Sequence, residues 1–139
     1  MSEYVCGLVF SEDRRRVVLI KKTHGPASVV GRWNGVGGHV EPGEMPVVAM
    51  AREFREEAGV ATSFSLWHNF MTLTGRDWIV HFFSCFDNVV MASARTAEDE
   101  IVSTHMLWCL PDELVSNLHW IIPMALESTV DTTYAVNEA

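Results

Sequence analysis

The sequence has no run of about 18 apolar residues, so no segment reads as a transmembrane helix. Positive charge is also scarce. Ten Lys and Arg stand against eighteen Asp and Glu, for a formal net charge of −8. Such a surface repels nucleic-acid backbones, and no basic stripe offsets it, which excludes DNA and RNA as partners. Only three cysteines occur, Cys6, Cys85 and Cys109, far apart and within apolar stretches. No C-x-x-C pair or Cys/His spacing suits zinc, so reduced buried thiols in a cytoplasmic protein are the expectation. The six histidines, at 24, 39, 68, 81, 105 and 119, show no metal-ligand spacing either; His39 and His119 are the two with a place near a cleft. Met1 to Phe10 carries Glu3 and no basic segment before its apolar run, which reads as a first strand rather than a signal peptide. Internal repeats and linkers are absent.

What is present is ordinary globular chain: 139 residues, 48% apolar and 20% charged, enough for one domain with a sizeable core. Tyr4 to Ser11 and Arg16 to Lys22 read as a strand hairpin about a charged turn. Thr23 to Arg32 is a loop marked by Gly25, Pro26 and Gly31. Gly35, Gly37, Gly38 and Gly43 follow within nine residues, ahead of a helix opened by Pro46 and closed by Gly59. Phe64 to Thr74 and Asp77 to Phe86 read as two further strands, and His105 to Leu110 as another. Pro111-Asp112-Glu113 opens a second helical region that runs to about Glu127. This order predicts an α/β fold, a mixed sheet between helices. Residues 1–127 are expected to form one domain and the polar residues 128–139 a frayed tail.

The chemistry concentrates between Gly38 and Val60. On a helix Glu53, Glu56 and Glu57 stand at i, i+3 and i+4 and share one face, while Val47, Ala51, Phe54 and Ala58 form an apolar stripe on another. Like charges at that spacing repel by a few tenths of a kcal/mol per pair. A solvated acidic face is one explanation; a site for hard divalent cations, which demand oxygen ligands, is the other. The glycines ahead of the helix favour the second, because backbone groups there can approach a ligand closely. Arg52, ringed by acids, is placed to pair with Glu44 or Glu56 and hold them in register.

These residues resemble a known family. The Nudix signature, G-x5-E-x7-R-E-U-x-E-E-x-G-U with U bulky and apolar, is met by Gly38, Glu44, Arg52, Glu53, Phe54, Glu56, Glu57, Gly59 and Val60 without departure. A chance match has a probability on the order of 10⁻⁸ from average residue usage. The resemblance implies a Nudix-type α/β/α sandwich and hydrolysis of a phosphoanhydride bond in a nucleoside diphosphate derivative. It implies that Glu53, Glu56 and Glu57 bind Mg²⁺, or Mn²⁺ in its place, joined by the Gly37 carbonyl, with Glu44 and Arg52 as a supporting pair. A later acid completes the site in relatives; here Glu100 is favoured, with Glu98 in reserve. The general base is then Glu53 or Glu100. Lys21, Lys22 and Arg32 are candidates for phosphate contacts, and the Gly38 backbone for substrate contact; ordinary solvated charge is the competing reading for the three cations.

Gly31 to Gly38, GRWNGVGG, closely resembles MutT-like enzymes that act on oxidised purine nucleoside triphosphates. Asn34 then becomes a base-reading side chain, since a carboxamide both donates and accepts, and Trp33 a packing residue. Two departures weaken selectivity for oxidised purines: the 23–30 loop is long and has no aromatic, and Ser116 and Asn117 stand where those enzymes carry acids. The competing readings are an ADP-ribose or other nucleotide-sugar pyrophosphatase and a non-catalytic Nudix-fold binding module. The module is disfavoured because all the signature carboxylates are present. The implied partner is a small nucleotide, with a monomer or homodimer both open.

Overall fold

The computed structural model describes residues 1–129 and 131–138. Its first strand, β1 (Ser2–Phe10), carries two buried sets of side chains: Val5 and Val9 on one face, Cys6, Leu8 and Phe10 on the other. Successive strand residues face opposite ways, so a strand buried throughout needs cover on both sides. Helix α1 (Pro46–Ala58) and the short α2 (Asn88–Ser93) cover the Val5 face, where Met50, Phe54, Val90 and Met91 pack with Trp67. Helix α3 (Leu118–Glu127) covers the Cys6 face through Leu118, Ile121, Ile122 and Ala125. The predicted α/β/α sandwich with a mixed sheet is the observed one.

The other strands are β2 (Arg16–Lys21), β3 (Trp33–Asn34), β4 (Val36–His39), β5 (His68–Thr74), β6 (Trp78–Phe86), β7 (Ile101–Met106) and β8 (Tyr134–Asn137). Among the described residues they form one sheet in the order β3-β2-β1-β6-β5-β8, with β4 added to β1 and β7 to β2. β1 runs parallel to β6, and β5 to β8; the remaining pairs are antiparallel. One edge of β1 serves two partners. Val9 and Phe10 pair with β2, whereas Tyr4 to Gly7 pair with β4. Two strands diverging from a shared neighbour leave a cleft between them, which the candidate site residues Lys22, Asn34, Gly37 and Gly38 line.

Helix α1 matches the expected span. It starts with Pro46 in the first turn and stops at Gly59, whose left-handed φ of 74° lets its N–H reach the Arg55 carbonyl at 3.1 Å. Its buried stripe is Ala49, Met50, Phe54 and Ala58; Val47 and Ala51, expected in it, are only half-buried.

Elsewhere tertiary contacts displaced the expected boundaries. Residues 111–117 are a loop and not the first half of a helix. Trp33 N–H donates to the Glu113 carbonyl at 2.7 Å and Val115 N–H to the Trp33 carbonyl at 2.8 Å. Those bonds to a strand edge outweigh the helix-start composition of Pro111-Asp112-Glu113. β7 begins at Ile101, four residues earlier than predicted, because six of its residues pair with β2. β5 begins at His68, since Phe64–Leu66 forms a 3-10 turn capped by the Ser63 hydroxyl. The short α2, which the sequence did not suggest, is capped by Asp87 accepting from Val90 N–H at 2.9 Å. The tail expected to fray instead adds β8 to the open edge of β5, tucking Tyr134 and Val136 against the α3-side core.

Candidate active site

Arg52 organises the acidic face of α1. Its Nε and Nη2 donate to the two oxygens of Glu44 at 2.9 and 3.0 Å, a planar fork matched to a carboxylate. Nη2 also donates to the His39 carbonyl at 2.9 Å, and Nη1 to Glu53 at 3.0 Å and Glu56 at 3.4 Å. The bond from Arg52 holds the Glu44 carboxyl below the usual carboxylate range, and the Glu41 N–H adds to the effect. Arg52, expected to pair with Glu44 or Glu56, pairs with both and with Glu53 as well.

Glu57 is held differently. Lys22 Nζ lies 3.6 Å from Glu57 Oε2 and 3.4 Å from Glu100 Oε2. The Arg95 N–H bond to the Ala58 carbonyl (3.0 Å) and the Ala97 N–H bond to the Glu57 carbonyl (3.2 Å) tie the following loop to the end of α1. That tie brings Glu100 against the helix. Glu98 and Asp99, in the same loop, are exposed and join Glu57, Glu100, Ile20 and His24 around a pocket of about 90 Å³. Burial pushes the Glu57 carboxyl up to about 8; Lys22 opposes the shift, and the nearby Glu53 and Glu100 reinforce it. Glu57 Oε1 is buried without a hydrogen-bond partner. Burial works against charge on Lys22, yet Glu57 and Glu100 outweigh it and hold the ammonium above the ordinary lysine value.

The glycines of β4 form the wall between this face and a larger cavity. A methyl group at Gly38 would sit 2.6 Å from Glu53 Oε1, and one at Gly37 only 1.9 Å from the Val5 carbonyl oxygen. Any side chain at 38 would thus displace the Glu53 carboxylate. On the other side a cavity of about 550 Å³ is lined by Lys22, Asn34, Gly35, Gly37, Gly38 and His39. Tyr4, Val5, Cys6, Val80, Phe82, Val115 and Asn117, with His24, Gly25, Pro26 and Val29 of the loop after β2, make its largely apolar remainder.

Of the substrate-side candidates, Asn34, Lys22 and Gly38 thus meet at one cavity, while Lys21 and Arg32 do not line it. Lys21 pairs with Trp33 in the ladder, and Arg32 is exposed. Trp33 packs edge-on against His105 at 4.6 Å. His39 is at the rim, whereas His119 is exposed on α3. Sequence reasoning missed Tyr4, Cys6, Phe82 and Asn117 as cavity residues. Tyr4 and Cys6, like Val80 and Phe82, are i, i+2 pairs on adjacent parallel strands, a pattern that in sequence signals only core. Asn117 precedes a helix and looks like a cap, yet its side chain caps nothing.

A family model described as NUDIX domain matches residues 2–126. The chain belongs to the NUDIX domain family. Among solved structures it is similar to a MutT NUDIX hydrolase from Burkholderia pseudomallei, with a TM-score of 0.72 at 20% identity, covering 88% of this chain and 96% of that one. MutT studied from Aliivibrio salmonicida and Vibrio cholerae superposes with a TM-score of 0.69 at 21% identity over 91% of this chain and 98% of the other. The NUDIX domain of Shewanella oneidensis NrtR, solved in complex with ADP-ribose, gives 0.70 at 14% identity over 90% and 86%. No curated protein matches. At such identities the likeness concerns the fold; membership rests on the family match. Nudix hydrolases generally use divalent metal ions. None of the helices among the described residues is long and apolar enough to cross a membrane.

Proposed function

We propose that this Nudix hydrolase cleaves a phosphoanhydride bond in a nucleoside diphosphate derivative. The preferred substrate is a nucleoside triphosphate, and the products are its monophosphate and pyrophosphate. The observation carrying this reading is the continuity of cavity and acidic face: Lys22 and Gly38 line the cavity while touching Glu57 or Glu100 and Glu53. A base in the apolar part leaves its phosphates at the carboxylates.

Among the described residues no three His, Cys, Asp or Glu side chains already converge on one point. Arg52 holds Glu53 and Glu56, and Lys22 holds Glu57 and Glu100. The donor set still fits Mg²⁺ or Mn²⁺. It is all oxygen, as a hard cation requires, and the buried Glu57 Oε1 has no hydrogen-bond partner while its carboxylate shares the single Lys22 ammonium with Glu100. Glu53, Glu56, Glu57 and Glu100 would hold the ions, with the Gly37 carbonyl beside them. The bound cation supplies neutralisation of the diphosphate and a water of lowered pKa.

The chain's own groups do the rest. Arg52 fixes Glu44, Glu53 and Glu56 in register through one guanidinium. Lys22, the only Lys or Arg lining the cavity among the described residues, follows the phosphates from the cavity side. Glu53, pressed against Gly38 at the junction, accepts the proton of the attacking water, and Glu100 is the alternative base. Asn34 reads the base. The acidic net charge, which repels a nucleic-acid backbone, supports a small nucleotide as substrate, and the free cysteines support a cytoplasmic enzyme.

The second reading, ADP-ribose or another nucleotide sugar, draws on the ADP-ribose complex of the Shewanella oneidensis NUDIX domain. A panel of nucleoside triphosphates and nucleotide sugars, followed by product analysis, separates the two. Pyrophosphate with a monophosphate supports the first reading; faster release of a sugar phosphate with a nucleoside monophosphate supports the second.

A further inference from the structure

The Asn34 carboxamide fits its surroundings only one way round. Gly35 N lies 2.8 Å from Asn34 Oδ1. A backbone N–H can only donate, so the carboxamide atom facing it is the oxygen. Cys6 Sγ stands 3.8 Å from the same oxygen and is a second donor to it. The thiol is buried and lies directly over Gly35, where a methyl group would come within 2.6 Å of Cys6 Sγ. Burial pushes its ionisation up to about 12, so the donating proton is retained at neutral pH. Asn34 Nδ2 has no hydrogen-bond partner among the described residues, and Asn34 lines the 550 Å³ cavity. Two N–H donors are therefore left for whatever occupies the cavity. Asn117, also in the lining, makes no side-chain hydrogen bond at its helix start and is not constrained in this way.

Building on the nucleotide reading above, we infer that Cys6 is a positioning residue that, together with the Gly35 N–H, holds Asn34 as a donor, so that the cavity selects nucleobases with an exocyclic carbonyl. A 6-oxopurine or 4-oxopyrimidine offers lone pairs to Asn34 Nδ2. The corresponding amino base turns N–H towards N–H and leaves both unpaired, which costs affinity. No covalent step is involved.

The test is isothermal titration of GMP, AMP, UMP and CMP into the wild-type protein, Cys6→Ala and Cys6→Ser. The wild type should bind GMP over AMP, and UMP over CMP, by about three- to tenfold, the range of one net hydrogen bond. Cys6→Ser keeps a donor and should keep the preference; Cys6→Ala should shrink it to within about twofold. The side-chain amide signals of Asn34 in a ¹H–¹⁵N spectrum should shift with GMP and broaden in Cys6→Ala as the carboxamide gains freedom. Equal binding of oxo and amino bases by the wild type overturns the inference and needs no variant. An undiminished preference in Cys6→Ala overturns the role of Cys6. Failure of every mononucleotide to bind overturns the nucleotide reading beneath it, a result distinguishable from the other two.

Discussion

Lys22 Nζ stands 3.6 Å from Glu57 Oε2, and the same ammonium lies 3.4 Å from Glu100. One positive charge is shared by two carboxylates, with Glu53 close enough to raise the Glu57 pKa further. One ammonium facing two carboxylates leaves this corner of the protein short of positive charge.

That imbalance sets a pH dependence. The folded Glu57 carboxyl titrates at about 8, above its ordinary value of 4.5. A raised pKa contributes stability that is present below the unfolded value and lost as pH rises through the folded one. The metal-free protein should therefore lose melting temperature between about pH 5 and pH 8 through this group. Saturating Mn²⁺ should flatten or reverse the trend by binding the ionised form. Differential scanning fluorimetry across that range, with and without metal, checks it; a rising metal-free curve counts against the assigned burial of Glu57.

Glu57→Gln separates site from scaffold. It keeps the shape and removes a buried charge that repels its neighbours. The metal-free protein should be at least as stable at pH 8, while kcat falls by roughly 10²-fold or more. Phe54→Ala should do the opposite kind of damage. Phe54 is fully buried and meets Trp67 edge-on at 5.4 Å, so truncation should cost about 3–5 kcal/mol in chemical denaturation.

Adjacent glycines give a sharper contrast. Gly37→Ala drives a methyl into the Val5 carbonyl, which is backbone and cannot yield cheaply. It should destabilise by about 1–3 kcal/mol. Gly38→Ala meets only the mobile end of Glu53. It should leave the melting temperature nearly unchanged and lower kcat about tenfold or more by misplacing a carboxylate. Equal effects of the two on stability would contradict the placement of Glu53 against β4.

Asn34→Ala should raise KM and reduce discrimination among bases by about 1–3 kcal/mol, with a smaller change in kcat. Steady-state kinetics on two triphosphates suffice. A loss confined to kcat would place Asn34 at the phosphates instead.

The helix that carries the carboxylates was legible because its periodicity, Pro46 and Gly59 are local signals, and because Glu53, Glu56 and Glu57 share a face by spacing alone. The cavity was not. Its wall joins Cys6, Phe82 and Asn117 from β1, β6 and the loop before α3, residues brought together by the parallel β1–β6 pairing and by the split edge of β1. Nothing local marks a buried thiol as the partner of Asn34. β8 escaped for a similar reason: Tyr134 and Val136 are too few to show a period, and what orders them is the open edge of β5. Lys21 and Lys22 look alike in sequence, but strand alternation sends only Lys22 to the carboxylates.

Phosphoanhydride hydrolysis with a divalent metal is most directly tested by following pyrophosphate release from a nucleoside triphosphate panel in Mg²⁺, then in excess EDTA, then with Mg²⁺ restored. The expected result is turnover with at least one triphosphate, abolished by the chelator and recovered on adding the ion back. Undiminished turnover in excess EDTA, or no turnover of any triphosphate while ADP-ribose is cleaved rapidly, would contradict it.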